Sequence, residues 1–310
     1  MRLTRRGFSL PELLFALALA GTAAALMAGT LVRQQRFYAS AAGILDTRAQ
    51  LRDAADVLAT DIRGAAVGLL GLPVMRDSAI EMFTTIVASV VCVSSSATSI
   101  SIPPASRESG NTLTSVLALP DSDDLAVVFT FPPGRPDSGQ WETLRVASFV
   151  QRSVTSACPE ATGFTSAGDV AAGANSFVVT FASGAARPLS PGAPIHFVRR
   201  ARYSLYRSSD NKWYLGYRRC DVSAGSSCGA IQPVSGPYSD YSSAKGSGLG
   251  FRYYGEDGSE ILPGGDSRLV SRVDITLRGK SARAGDLAGD TRAIYSDSVV
   301  VSVSPRNRVR

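Results

Sequence analysis

The feature that most constrains the fold of this chain is a long apolar stretch near its N-terminus. Between Phe8 and Val32 nearly every side chain is apolar or small, and Glu12 is the only charged one. A helix of this length rises roughly 37 Å at about 1.5 Å per residue, which is enough to cross a bilayer with some tilt. The sequence therefore predicts a transmembrane helix over residues 8–32.

A short basic segment precedes this stretch and contains Arg2, Arg5 and Arg6. By the positive-inside rule this flank stays in the cytoplasm. We therefore expect a single-pass inner-membrane protein with a cytoplasmic N-terminus and a periplasmic globular domain. The formal net charge of +6 includes these three arginines, so the remaining charge is too small to indicate a nucleic-acid partner by itself.

The position of Glu12 inside the apolar stretch is energetically unfavourable. A carboxylate inside the apolar stretch costs on the order of 2.5–3.5 kcal/mol on insertion scales, so it needs a partner. A cut after Gly7 gives Phe8 a free, positively charged amino group, which can pair with Glu12 of a neighbouring subunit. The position of Glu12 therefore favours a role in assembly.

Residues 7–13, which read Gly-Phe-Ser-Leu-Pro-Glu-Leu, resemble the class III motif of type IV prepilins. The resemblance implies that prepilin peptidase removes the leader, residues 1–7, by cutting after Gly7. It also implies that Phe8 becomes N-methylphenylalanine and that Glu12 is the assembly glutamate.

Two other readings of the N-terminus are open. Arg5 and Arg6 form a pair typical of a twin-arginine export signal, and Ala18-Leu19-Ala20 offers a cleavage site that would release a soluble protein. The second reading is an uncleaved signal anchor. Neither accounts for Glu12.

The helical pattern continues beyond Val32. Apolar residues recur at spacings of three, four or seven and predict one apolar face; they are Phe37, Ala41, Ile44, Leu51, Ala55, Leu58 and Ile62. We predict one helix over residues 8–65, with an amphipathic periplasmic half at 33–65. The alternative is two helices separated at Gly29.

From residue 66 to 310 the sequence is typical of an antiparallel β-rich domain, with short Val-, Ile- and Tyr-rich runs between turns. The predicted strands are 83–93, 98–102, 125–131, 143–151, 176–181, 195–206, 212–219, 249–254, 268–277 and 294–303. Turns are predicted at 208–211 and 256–258, and loops at 104–123, 132–140, 155–174 and 221–247. The fold class is therefore α+β and pilin-like, a long N-terminal helix packed on an antiparallel sheet with large loops.

The C-terminal half carries a second resemblance. Trp213–Arg219, Gly250–Tyr254, Val273–Leu277 and Pro305–Asn307 follow an order that is similar to PilW-type minor pilins and, more distantly, to GspJ-type minor pseudopilins. The resemblance implies a minor pilin that helps to initiate type IV pilus assembly. Its implied partners are other pilin subunits, prepilin peptidase, the inner-membrane assembly platform and the lipid bilayer. The alternative is a type II secretion pseudopilin.

Four cysteines without a Cys-x-x-Cys pair favour disulfides in an oxidising compartment. Cys220 and Cys228 close a short Gly/Ser-rich loop and are the preferred pair, which leaves Cys92 with Cys158. Three pairings are possible for four cysteines, so the pattern leaves the others open.

The sequence predicts no enzyme, no cofactor and no metal site. His196, the only histidine, lies in a strand pattern without a nucleophile motif and is expected to be structural. Three acidic residues near one turn lack the spacing of a calcium loop and are expected to be solvated; they are Asp121, Asp123 and Asp124. Six arginines could contact DNA phosphates but are expected to serve solubility; they are Arg199, Arg200, Arg202, Arg306, Arg308 and Arg310.

Overall fold

The computed structural model describes residues 10–105, 113–132, 138–222, 227–242, 246–286 and 292–306. Its helices are α1 (Leu10–Gly64), α2 (Val67–Leu70), α3 (Val154–Ala157) and α4 (Ala167–Ala171). Its strands are β1 (Val74–Met75), β2 (Ala79–Val90), β3 (Val93–Ser96), β4 (Ser99–Ile102), β5 (Ser115–Val116), β6 (Leu125–Thr130), β7 (Gln140–Ser153), β8 (Asn175–Phe181), β9 (Pro194–Arg207), β10 (Trp213–Arg219), β11 (Gln232–Tyr238), β12 (Leu249–Tyr254), β13 (Arg272–Lys280), β14 (Gly285–Asp286), β15 (Arg292–Ala293) and β16 (Ser296–Val303).

The helix α1 is continuous over 55 residues, so the alternative of two helices divided at Gly29 is wrong. Its buried residues begin only at Thr47 and repeat at helical spacing through Leu51, Leu58 and Ile62. Phe37, which belongs to the predicted apolar face, is 68% exposed. The buried face of α1 therefore occupies only its last five turns.

Within the described residues, fourteen strands form one antiparallel sheet, and β14 and β15 form a separate ribbon. The strand β9 lies near the centre, where it pairs with β2, β6 and β10. The strand β13 pairs with β12 along one side and with β16 along the other. The α+β class with a long N-terminal helix and a large antiparallel sheet is thus present.

Two hydrophobic cores lie on this sheet. The first is formed between α1 and β2, β9, β10, β12 and β13, and it includes Leu58, Met82 and Ile275. Gly279 in β13 allows the close approach, because a Cβ there would lie 3.0 Å from the side chain of Thr47 and 3.2 Å from that of Leu51. The helix is therefore seated directly on the strands.

The second core forms without α1, because β7 changes partner along its length. Residues 140–145 of β7 pair with β6, whereas residues 146–153 pair with β8, and a register shift separates Val146 from Ser148. Such an irregularity bends a strand. The bend folds β8 and β4 over β6 and β9, where Ile100, Val179 and Phe197 are buried.

Several sequence-based boundaries are wrong. The predicted loop 221–247 contains β11, and the predicted loop 155–174 contains the helix α4, whose Ser166 and Asp169 form a capping box. The strand predicted from residue 268 begins at Arg272 instead, after a 3₁₀ turn at Ser267–Leu269. The hairpin at residues 208–211 is confirmed, with Asn211 at φ 62°.

Candidate functional site: the projecting N-terminal helix

The first half of α1 projects from the globular domain. Every residue from 10 to 39 is exposed, including Leu10 at 76%, Phe15 at 68% and Leu26 at 73%. At about 1.5 Å per residue the projecting segment is about 45 Å long. Among the described residues, α1 is the single helix long and apolar enough to cross a membrane.

Charge is unevenly distributed along this projecting segment. Glu12 lies within the first described turn of α1, and the next charged residues are Arg33 and Arg36. The interval between Glu12 and Arg33 is apolar or small on every side of the helix, so it has no polar face to turn toward water. A helix that is apolar all round and exposed requires an apolar surrounding.

Some of the predicted site residues lie outside the described part of the chain. These are the leader arginines Arg2, Arg5 and Arg6, the cleavage pair Gly7 and Phe8, and the C-terminal Arg308 and Arg310.

Polar contacts fix the second half of α1 to the sheet. Tyr203 in β9 donates a hydrogen bond of 2.5 Å to Asp61, and Arg48 lies 3.0 Å from Asp297 in β16. At the end of the helix, the carbonyl of Gly64 accepts a 2.8 Å hydrogen bond from the side chain of Thr85. Burial raises the pKa of the Asp61 carboxyl and also, together with the Asp61 charge, the pKa of Tyr203. These bonds orient the helix against the domain that it carries.

All four cysteines are bonded in the structure. The disulfides are Cys92–Cys158 and Cys220–Cys228, the two pairs expected from the sequence. Cys92 follows β2 and Cys158 follows α3, so the first bond joins these two segments, and both cysteines are buried. Disulfides of this kind are typical of an oxidising compartment.

The acidic residues near residue 121 are not simply a solvated turn. Asp124 is fully buried, and its Oδ2 lies 2.7 Å from Nη2 of Arg199. Arg219 pairs with Asp121, and the hydrogen bond from Arg219 lowers the pKa of that carboxyl. The four side chains form an ion-pair cluster in which Asp124 is buried, whereas Asp121 is 48% exposed. The expectation of full solvation is therefore wrong for Asp124.

Two of the arginines considered for DNA contact are engaged within the protein. Arg199 is held by Asp124, and Arg200 pairs with the buried Glu81 and also donates to the carbonyl of Asp221. Arg202 and Arg306 form no ion pair with a described residue. The sequence gives little indication that Arg199 is largely buried. The only sign is that a charged residue follows apolar residues within a predicted strand.

Two further groups of side chains, around His196 and around the second disulfide, contain residue types that can bind metals. The ring of His196 lies 5.7 Å from that of Trp141, and burial lowers the pKa of His196. Glu81, Cys220 and Cys228 lie close enough together to suggest a metal site. Both sulfur atoms are in a disulfide, however, so they are not the thiolates that bind metals.

Comparisons with protein-family models, curated proteins and solved structures found no match for this chain. The geometry of α1 and the residues of its first turns therefore carry the functional argument.

Proposed function

We propose that this chain is a minor pilin of a type IV pilus, cut by prepilin peptidase after Gly7 and methylated on Phe8. The observation that carries the proposal is the division of α1. Residues 10–39 are exposed and mainly apolar, whereas the residues from Thr47 to Ile62 are packed on the sheet. A bilayer before assembly and a bundle of similar helices after assembly both supply an apolar surrounding for the first half.

Glu12 gives the assembly step its proposed chemistry. In the bilayer its carboxylate carries a cost on the order of 2.5–3.5 kcal/mol. Pairing with the α-amino group of Phe8 on a neighbouring subunit offsets that cost and also fixes the axial position of one helix against the next. The proposal draws on the location of Glu12 in an apolar span and on the resemblance of residues 7–13 to prepilins.

The two disulfides support a periplasmic globular domain, with the helix inserted in the inner membrane as a single pass. The leader arginines Arg2, Arg5 and Arg6 favour a cytoplasmic N-terminus. In this arrangement the assembly platform meets the helix at the membrane, and the other pilin subunits meet it in the filament.

Release by a twin-arginine signal fits the structure less well. A cut after Ala20 leaves Leu26, Met27 and Leu31 on a projecting helix in water, where they are 57–73% exposed. A type II secretion pseudopilin shares the same anatomy as a minor pilin. Neighbouring genes distinguish these two, because a retraction ATPase accompanies pili and secretion genes accompany a pseudopilus.

Mass spectrometry of the N-terminus tests the proposal. The protein is extracted from membranes of cells with and without prepilin peptidase, and a Gly7→Leu variant serves as the uncleaved control. We expect an N-terminal peptide that begins at N-methylated Phe8 only when both the peptidase and Gly7 are present. A start after Ala20 or an intact Met1 in cells that contain the peptidase contradicts the proposal.

A further inference from the structure

A small groove lies beside β9, on the globular domain. Its volume is about 250 Å³, and its lining includes Arg76, Ser78, Arg202, Ser204, Trp213 and Tyr241. The polar side chains come from β9 and from the segment that leads into β2, and one of the two rings comes from the start of β10. The groove is built largely from regular structure and therefore has a defined shape.

The groove is rich in hydrogen-bond donors. Arg76 is exposed and Arg202 is half-buried, and neither forms an ion pair with a described residue. By contrast, Arg200 on the same strand is paired with Glu81. Arg76 and Arg202 both line the groove, and a guanidinium group binds an anion such as a carboxylate through two parallel hydrogen bonds.

The backbone that carries these groups is held in place. The N–H of Arg76 donates to the carbonyl of Ala79 over 3.0 Å, and its carbonyl accepts a 2.8 Å hydrogen bond from the hydroxyl of Tyr253. Arg202 lies within β9, where its backbone stands opposite Glu81 of β2 on one side and Arg218 of β10 on the other. Both guanidinium groups therefore extend from fixed positions.

One end of the groove is aromatic. The rings of Trp213 and Tyr241 lie 6.5 Å apart between centroids at an interplanar angle of 47°, and Tyr241 is 44% exposed. Exposed aromatic rings beside cations are typical of peptide-binding surfaces, because they bury apolar area at a small cost in side-chain entropy.

The groove also lies at an open part of the sheet. β9 continues to Arg207, but its pairing with β2 stops at Ser204, opposite Ala79. The N–H of Ser208 donates to the carbonyl of Lys212, so the main-chain groups of Ser208 face the neighbouring segment that leads into β10. In an antiparallel strand the main-chain groups of successive residues point to opposite sides. The main-chain groups of Arg207 therefore point away from β10, toward the side on which no described strand pairs with them. An extended peptide adds to a sheet at such an edge.

We infer that this groove binds an extended peptide segment that carries a carboxylate, with its main chain along the end of β9. The carboxylate lies between Arg76 and Arg202, and an apolar side chain lies against Trp213. The peptide belongs to an acidic segment of a partner protein. This inference does not depend on the role proposed for α1, and the two can fail separately.

Fluorescence of Trp213 provides the test, because the chain contains only two tryptophans. A Trp141→Phe variant of the full chain in detergent leaves Trp213 as the single reporter. It is titrated with the peptide Ac-Thr-Val-Thr-Val-Asp with a free C-terminus, and separately with the neutral Ac-Thr-Val-Thr-Val-Asn-amide. We expect saturable quenching or a spectral shift with the acidic peptide only.

Charge variants distinguish binding at this groove from general electrostatic attraction of an acidic peptide to a basic protein. Arg76→Gln/Arg202→Gln should weaken the acidic peptide at least about tenfold. Arg145→Gln/Arg252→Gln removes the same charge from two exposed positions on other strands and should leave the affinity unchanged. Since Arg76 is exposed, Arg76→Gln alone serves if the double variant fails to fold.

Four outcomes overturn the inference. The first three are the absence of a saturable signal, equal binding of the two peptides, and equal affinity after the groove arginines are replaced. The fourth comes from a parallel titration with an octathymidylate, and it is stronger binding of this oligonucleotide than of the acidic peptide. The last result would assign the groove to a nucleic-acid backbone instead.

Discussion

The hydroxyl of Tyr203 donates a 2.5 Å hydrogen bond to Oδ2 of Asp61, and this bond joins the last turn of α1 to the middle of β9. Both groups are largely buried, and the rings of Tyr203 and Tyr217 lie 5.4 Å apart beside them. An ionisable carboxyl group thus lies at the junction between the helix and the domain.

The first prediction concerns the pH dependence that this carboxyl group introduces. Burial raises the pKa of Asp61 above the value of about 3.9 for an unfolded aspartate. The native state therefore holds the proton to higher pH, and the associated stability, complete below about pH 3.9, is lost as pH rises through the raised pKa. We expect Asp61→Asn to gain stability relative to the parent between about pH 4 and pH 7, measured by urea unfolding in detergent.

Asp56→Asn is the matched control, because Asp56 is exposed on the same helix. The assignment to Asp61 is contradicted if the free energy of unfolding of Asp61→Asn differs from that of the parent by the same amount at every pH. It is also contradicted if Asp56→Asn shows the same pH-dependent difference.

The second prediction tests the seat of the helix. Leu58 is fully buried between α1 and the sheet, whereas its neighbour Val57 is 40% exposed. Leu58→Ala should lower the free energy of unfolding by about 2–5 kcal/mol because it leaves a cavity. Val57→Ala should cost less than about 1 kcal/mol. Equal losses in urea unfolding would show that α1 does not pack by the face described.

The third prediction compares the two disulfides. Cys92–Cys158 closes 66 residues and Cys220–Cys228 closes only 8. Loss of the longer constraint should cost about 4 kcal/mol and loss of the shorter one about 2.5 kcal/mol, because a long loop gains more entropy in the unfolded chain. Unfolding of the two paired Cys→Ala variants measures this order. The reverse order contradicts it, and mass spectrometry verifies the remaining bond in each variant.

The fourth prediction concerns Glu12. Glu12→Ala should remain processed and membrane-bound but enter the filament at least about tenfold less, since it loses a pairing that offsets roughly 2.5–3.5 kcal/mol. Immunoblots of membranes and of sheared filaments measure the two fractions. Glu160→Ala, a change at an exposed glutamate of the globular domain, is the control. Normal incorporation of Glu12→Ala would rule out the registration role.

The sequence predicts elements well where one local pattern decides them. The unbroken apolar and then amphipathic pattern places α1 within a few residues of its end at Gly64. Likewise, Asn211 at a positive φ and the Tyr-rich flanks mark the hairpin between β9 and β10. In both cases the deciding interactions lie within or between adjacent segments.

The remainder depends on contacts between distant segments. Gln232–Tyr238 contains two prolines and a glycine, features of a loop, and is a strand because β10 lies beside it. The second core depends on the bend in β7, which residue periodicity does not show. The burial of Asp124 follows from its pairing with Arg199, 75 residues away. The Glu12 assignment rests on a short local motif and remains a prediction.

Residues 33–39 belong neither to the apolar stretch nor to the packed half of α1, yet they are helical and exposed. Seven residues rise about 10 Å, comparable to the headgroup layer of one bilayer leaflet, which is roughly 5–8 Å thick. In the arrangement proposed above, with Val32 at the edge of the hydrocarbon, these residues cross the headgroup layer, and the β14–β15 ribbon, which lies against α1 near Ser40, is the part of the domain nearest to the lipid. Under that proposal, extraction of the helix along its own axis moves the domain with it, because the domain is packed on the second half of the same helix.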